Sequence, residues 1–524
     1  MDRIVHRLVS ELRGLIATLG ADGGLIGPSV YDTAQVLRFA PPADPAPALD
    51  WLLDQQQADG GWGDPAVPLA RAVPTLAALL ALHAHRPDAE ARQSAGLAFL
   101  RGQAPRWAGP PPEDIPIAAE LILPRLLDDA RAAGLEVDDR PYSELRALGQ
   151  RRRRMIAALP PRAGITAAHC WESWGDTPHP ALLDPAGSVG HSPAATAAWL
   201  HAARACPELA DHCALAQRCL DGAAAATGLG LPGVAPTVWP YPRNEQIVSL
   251  YALLLAGLFD DPALRDAILP QVDDLRRSLR PNGQGISDWF QPDGDNTAMS
   301  LAVIAATGQP ADKGMLAHYL RDTFCITYPQ ELQRSHSATA HAAHALALLG
   351  GEPAPLLRSL EERRAVDGRW HGEKWHGSWL YLTSHTICAL VAAGRLASAR
   401  SAGEALLAHQ WESGSWGDTA AAAEETGYAV TALLALERAG ASPVGGRAAL
   451  DQAGWWLLRH VAFKAEDHGA CWIGKELYRP RRIARIIELG AALAWVRWSE
   501  TAASHRRAGA AAERGSDYTA VTLQ

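Results

Sequence analysis

Two aspartates stand two residues apart in Trp289-Phe290-Gln291-Pro292-Asp293-Gly294-Asp295-Asn296-Thr297-Ala298-Met299, after an aromatic pair and before an apolar run. Carboxylates at that spacing can hold a cation, cap a helix or work as an acid pair. The calcium-loop reading fails, because position six is Ala298 where glycine is needed and no glutamate fills position twelve. Capping explains Asp295 or Asn296, but not the second aspartate or the aromatic neighbours. On these residues alone the segment is either a helix cap or a catalytic acid. His341 and His344 lie three apart, yet the acidic ligands of a zinc site do not accompany them. The basic run Arg151 to Arg154 reads as a solvated helix start.

The segment Asp293-Gly294-Asp295-Asn296-Thr297-Ala298-Met299 resembles the acid motif of class II terpene cyclases. The resemblance extends through Ser29-Val30-Tyr31-Asp32-Thr33-Ala34, Ala119-Glu120-Leu121-Ile122-Leu123-Pro124 and Gly187-Ser188-Val189-Gly190-His191-Ser192-Pro193. It continues through Glu373-Lys374-Trp375-His376-Gly377-Ser378 with Tyr381 and His385, Glu424-Glu425-Thr426-Gly427-Tyr428, and Trp472-Ile473-Gly474-Lys475-Glu476-Leu477-Tyr478. Together these segments are similar to the two-domain bacterial enzymes that cyclise prenyl diphosphates. Two positions depart from the pattern: Asn296 replaces a third carboxylate, and Gln35 stands where many relatives have Trp.

The resemblance implies that Asp295 protonates an alkene, supported by Asp293 and Asn296. The dipole of the following helix would favour the anion left behind. Trp289, Trp375 and Tyr381 would offer aromatic faces to the migrating cation. His341 or Tyr478 would end the reaction, although each is equally readable as a core residue. Lys475, Lys374 and Arg243 would neutralise the diphosphate, with Mg²⁺ as cofactor and Glu120 as its acidic neighbour. The pairs Asp128-Asp129, Asp138-Asp139, Asp260-Asp261 and Asp273-Asp274 all lack the third acid of the ionising cyclases. The diphosphate should therefore survive, leaving a product for a downstream class I terpene synthase or a phosphatase. Geranylgeranyl diphosphate is the leading substrate, with farnesyl diphosphate, giving drimenyl diphosphate, as the alternative. A squalene-type triterpene cyclase and a non-enzymatic helical scaffold are the remaining readings.

The elements that must position these residues are helical. Alanine-rich stretches such as Leu76–His85, Ala194–Ala205 and Thr426–Ala439 repeat apolar residues at helical spacing, and alternating strand patterns are scarce. The expected fold is all-α. Gln56 to Trp62 and Gln410 to Trp416 share the form Q-x-x-x-G-x-W, and Arg364 to Trp370 keeps its Gly and Trp. Each copy sits between helical stretches, so Gly would make the turn and Gln would meet orphan carbonyls at a helix end. By resemblance, residues 1–19 and 261–500 form a catalytic α/α barrel, residues 20–260 an inserted one, and 501–524 a disordered tail.

Among 524 residues there are 18 Trp but only 10 Tyr and 6 Phe, which already suggests a repeated structural role or an aromatic site. A net charge of −9 argues against a nucleic-acid partner. Seven scattered cysteines without CxxC spacing read as reduced thiols of a cytoplasmic protein. No apolar run is long enough for a transmembrane segment.

Overall fold

The computed structural model describes residues 2–65, 67–111, 115–329, 331, 334–463 and 469–520. Helices dominate. The strands among the described residues are the two-residue partners Trp472–Ile473 and Leu477–Tyr478, paired antiparallel.

Six inner helices form a closed ring, each packed on the next: Pro242–Leu255, Gly294–Ala306, His336–Leu348, Trp379–Ala392, Ala423–Arg438 and Arg481–Ala520, which returns to the first. They are buried nearly all round, as small and apolar residues on every face dictate. Arg265–Ser278, Ala354–Glu362, Leu396–Ala408 and Gly446–Phe463 pack outside them. Helix Asp2–Ala17 closes the outer layer against the last inner helix, with Leu8, Leu12 and Ile16 in the same core.

The inserted unit has a smaller ring. Helices Val30–Phe39, Ala72–His85, Ala119–Ala132 and Pro193–Ala203 are joined by the 3₁₀ segment Thr166–Ser173. A short irregular element thus takes the place of an inner helix, on the side that meets the first ring.

Two sequence boundaries move. Helix Pro242–Leu255 belongs to the larger ring, through Ile247, Leu250 and Leu253 in its core. The expected division near 260 therefore falls near 240, at the Pro- and Gly-rich stretch before that helix. The expected disordered tail instead continues helix Arg481–Ala520, as its alanines and arginines favour, and 521–524 lie outside the described residues.

The repeats share one wiring. The indole N–H of Trp62, Trp370 and Trp416 donates to the carbonyl ten residues earlier: Leu52 at 2.7 Å, Leu360 at 2.7 Å and Leu406 at 2.9 Å. Each carbonyl lies in the last turn of a helix, where the regular donor four residues on is missing; the cap N–H groups of Arg363 and His409 also reach Leu360 O and Leu406 O. The Gln56 amide donates to Gly60 O (2.8 Å) and Arg92 O (2.9 Å), and Gln410 to Gly414 O (2.8 Å) and Ala449 O (2.9 Å). Arg364 makes the equivalent first bond, Nε to Gly368 O at 2.8 Å, which explains why that copy tolerates the exchange.

Candidate active site

Asp293 is the N-cap of helix Gly294–Ala306, accepting from the backbone N–H of Asn296 at 2.7 Å. Gly294 is required by close approach: a Cβ there would meet Ile326 O at 2.1 Å. Asp295 then falls in the first turn, where the helix dipole favours negative charge. The cap and acid readings are therefore not alternatives, since one aspartate caps and the other faces a cavity.

That cavity, about 1720 Å³ including its open mouth, lies between the two rings. Asp293, Asp295 and Asn296 reach it from the larger ring, Glu120, Arg152 and His169 from the inserted one. Phe290, Tyr328, Trp375, Tyr381, Trp472 and Tyr478 supply aromatic wall.

Asp295 Oδ1 lies 2.6 Å from His341 Nδ1, and His341 Nε2 lies 2.8 Å from His385 Nδ1. The relay is sheathed in rings. His385 meets Tyr381 at 4.2 Å between centroids, and Tyr251 stands edge-on to His341 at 5.0 Å. Burial, reinforced by the neighbouring histidines, drives the His385 pKa well below its ordinary value, so His385 is neutral. The helix bearing His341 is fixed from outside. Glu373 accepts the backbone N–H groups of His336 (2.9 Å) and Ser337 (2.8 Å), together with the hydroxyls of Ser335 and Ser337.

Asp293 is fully buried. Burial raises its pKa to about 7 against the two bonds from Asn296, whose amide N–H₂ donates to Asp293 Oδ2 at 2.8 Å. Asn296 thus neutrally bridges the place of the missing third carboxylate.

The cationic end differs from the sequence reading. Lys374 lines the cavity, 2.5 Å from Glu331 and 4.6 Å from the Trp375 ring. Arg152 lines it too, 3.5 Å from Glu120, beside exposed Met155 and Leu159 at the mouth. The run Arg151 to Arg154 is therefore the end of helix Ser143–Ile156, not a solvated start. Lys475 does not reach the cavity lining. It is fully buried between the rings, 2.7 Å from Glu172, 2.6 Å from Ser192 Oγ and 3.8 Å from Asp32. Arg243 is likewise spent, holding Asp274 and Asp288 outside the cavity. Trp289 is 43% exposed and turned away from the lining, so it cannot face a cation inside.

Among the described residues no group of three or more His, Cys, Asp and Glu side chains is placed to hold a metal ion. Glu120 is a lone carboxylate whose pKa burial raises and Arg152 and Lys374 pull back down. The residues present do not fit a resident magnesium ion.

His169, absent from the sequence reading, has a defined role in the geometry. Its Nδ1 lies 2.9 Å from Gly190 O, so Nδ1 must carry the hydrogen and Nε2 keeps a lone pair. Burial lowers its pKa to about 3. It is a neutral base in the cavity lining, within an irregular segment that no periodicity could mark.

No protein-family model matches the chain. The chain is similar to (+)-kolavenyl diphosphate synthase of Herpetosiphon aurantiacus, 42% identical over 514 residues, covering 94% of this chain and 98% of that one. It is 31% identical over 524 residues to copalyl diphosphate synthase of Streptomyces cyslabdanicus, covering 91% and 94%. The solved ent-copalyl diphosphate synthase from Streptomyces platensis matches with a TM-score of 0.76 at 28% identity, over 93% of this chain and 99% of that one. The chain belongs to the bacterial class II terpene cyclases. It is an enzyme of that class, and no described helix is long and apolar enough to cross a membrane.

Proposed function

We propose that the enzyme cyclises geranylgeranyl diphosphate to a bicyclic diphosphate by protonation, keeping the diphosphate intact. The observation that carries this is the polarity of the cavity: an acid backed by histidines in one wall, aromatic rings beyond it, and cations at the mouth. The relatives named for kolavenyl and copalyl diphosphates support the C20 chain length.

Asp295 carries the transferable proton on Oδ2. Neutral His385 donates from Nδ1 to His341 Nε2, which leaves the His341 Nδ1–H to donate to Asp295 Oδ1. The anion formed by transfer is then met at once by an N–H donor and by the helix N-terminus. His341 therefore acts on the acid and not as the terminating base. Rings of Phe290, Tyr328, Trp375 and Tyr381 exclude water and hold positive charge without reacting. His169 Nε2, directly or through a water, takes the final proton. Tyr478 lies on the same wall. Lys374 and Arg152 receive the diphosphate, and magnesium enters with it as counter-ion, being part of the substrate.

Incubation with geranylgeranyl or farnesyl diphosphate and Mg²⁺, followed by dephosphorylation and mass analysis, tests the reading. A bicyclic C20 alcohol is expected. A cyclic product from farnesyl diphosphate alone would favour the drimenyl alternative, and no cyclic product from either would overturn the proposal.

A further inference from the structure

The segment Gly187 to Pro193 is not used by the chemistry above, yet it contains a fully buried histidine held in an unusual backbone conformation. His191 has φ +58°, a region that non-glycine residues seldom occupy. Its Nε2 lies 2.6 Å from Ser287 Oγ, and its Nδ1 lies 3.2 Å from Asp184 Oδ2. His191 and Asp184 belong to the inserted unit. Ser287 lies six residues before Asp293, on the loop that delivers the acid.

Proton directions follow from valence. Ser287 Oγ already accepts the backbone N–H groups of Trp289 (3.1 Å) and Phe290 (3.0 Å), so its O–H must donate to His191 Nε2. His191 Nδ1 then carries its hydrogen and faces Asp184 Oδ2 at 3.2 Å in a polar contact outside hydrogen-bond geometry, while the other Asp184 oxygen accepts from Ala186 N (2.8 Å) and Ser188 N (3.0 Å). Burial keeps the imidazole neutral, its pKa lowered to about 3. The order Asp–His–Ser resembles a nucleophile relay. Here the serine is wholly inaccessible and saturated with donors, so it cannot attack a substrate.

Its one available output is mechanical. His191 stands edge-on to Phe290 at 5.0 Å, and Phe290 stands edge-on to Tyr328 at 6.3 Å. Gln291 N donates across to Gly164 O at 2.8 Å, so the grip continues along the loop.

We propose that Asp184, His191 and Ser287 are positioning residues by which the inserted unit fixes the Phe290 wall of the cavity, and so the point at which the carbocation is quenched. The proposal rests on the cyclase reading for its product readout, but not for its structural one. His191→Gln keeps an acceptor at the reach of Nε2 for the Ser287 hydroxyl. His191→Phe keeps the ring and loses the acceptor, and Ser287→Ala removes the hydroxyl.

The test compares hydrogen exchange of a peptide spanning 286–292 with product analysis. His191→Phe and Ser287→Ala should lose protection in that peptide with the remaining chain unchanged. They should lower kcat about tenfold with KM within about twofold, and release incompletely cyclised or hydroxylated products. His191→Gln should retain protection and the wild-type product. If His191→Phe and Ser287→Ala match wild type and His191→Gln in both measurements, the proposal is overturned. Exchange needs no substrate, so a wild type that cyclises nothing would count against the substrate reading alone.

Discussion

Asp295 and Asp293 are two carboxyl groups in one turn with opposite duties: both border the cavity, but Asp293 is spent on Asn296 whereas Asp295 stands on the histidine relay. Asp295→Asn should lower turnover by at least about 10³-fold with the melting temperature retained, read by product formation and thermal unfolding. Asp293 makes a different prediction. Its folded pKa of about 7 lies above the ordinary value of 3.8, so the native state holds more protons between those values. The stability it contributes is complete below about pH 4 and lost as pH rises through 7. Asp293→Asn should therefore gain stability relative to wild type between pH 4 and pH 8, by about 4 kcal/mol at most, in paired denaturation series. A constant difference across that range would refute the assignment. Asp295 was legible in the sequence because motif and aromatic neighbours are contiguous. Arg152 and His169 were not, since their partners Glu120 and Gly190 lie 32 and 21 residues away along the chain.

At the scale of elements, the Gln-Trp repeat acts as a joint between helices. Gln410→Ala leaves the carbonyls of Gly414 and Ala449 without their donor, at a cost of about 1–3 kcal/mol. Its kcat should stay at the wild-type value, because the joint lies on the outer layer. A loss of activity at unchanged stability would instead tie the joint to the site. The repeat was readable because its Gly, Gln and Trp recur at fixed spacing. The shared Thr partners of the Trp backbones, Thr75, Thr383 and Thr426, lie 10 to 13 residues on and carried no such signal. The 3₁₀ segment Thr166–Ser173 was invisible for a related reason: an irregular substitute for a helix has no period.

For the whole molecule, the correction at Lys475 separates interface from site. The sequence offered it as a diphosphate ligand because a lysine near Tyr478 is easily read as one. Folding instead places it where Glu172, Ser192 and Asp32 converge. Lys475→Met strands buried carboxylates and should cost about 3–5 kcal/mol, with KM unchanged in the protein that remains folded. Lys374→Ala also strands a buried carboxylate, Glu331, and so costs stability too, but unlike Lys475→Met it should raise KM, so the KM of the folded protein distinguishes them. The fold was legible as all-α, whereas the boundary was drawn twenty residues late because two breaks, Leu231–Pro242 and Asp260-Asp261-Pro262, flank helix Pro242–Leu255 and only its packing chooses between them. The closure of the larger ring by helix Asp2–Ala17 also bears on the order of synthesis. That helix leaves the ribosome before the rest of the ring and packs on Arg265–Ser278, yet its other neighbour begins only at Arg481. At about 5–20 residues per second, its apolar stripe waits about half a minute to a minute and a half for that second neighbour. The inserted unit is translated during that interval, so the segment that starts the catalytic ring is also among the last to find its place in it.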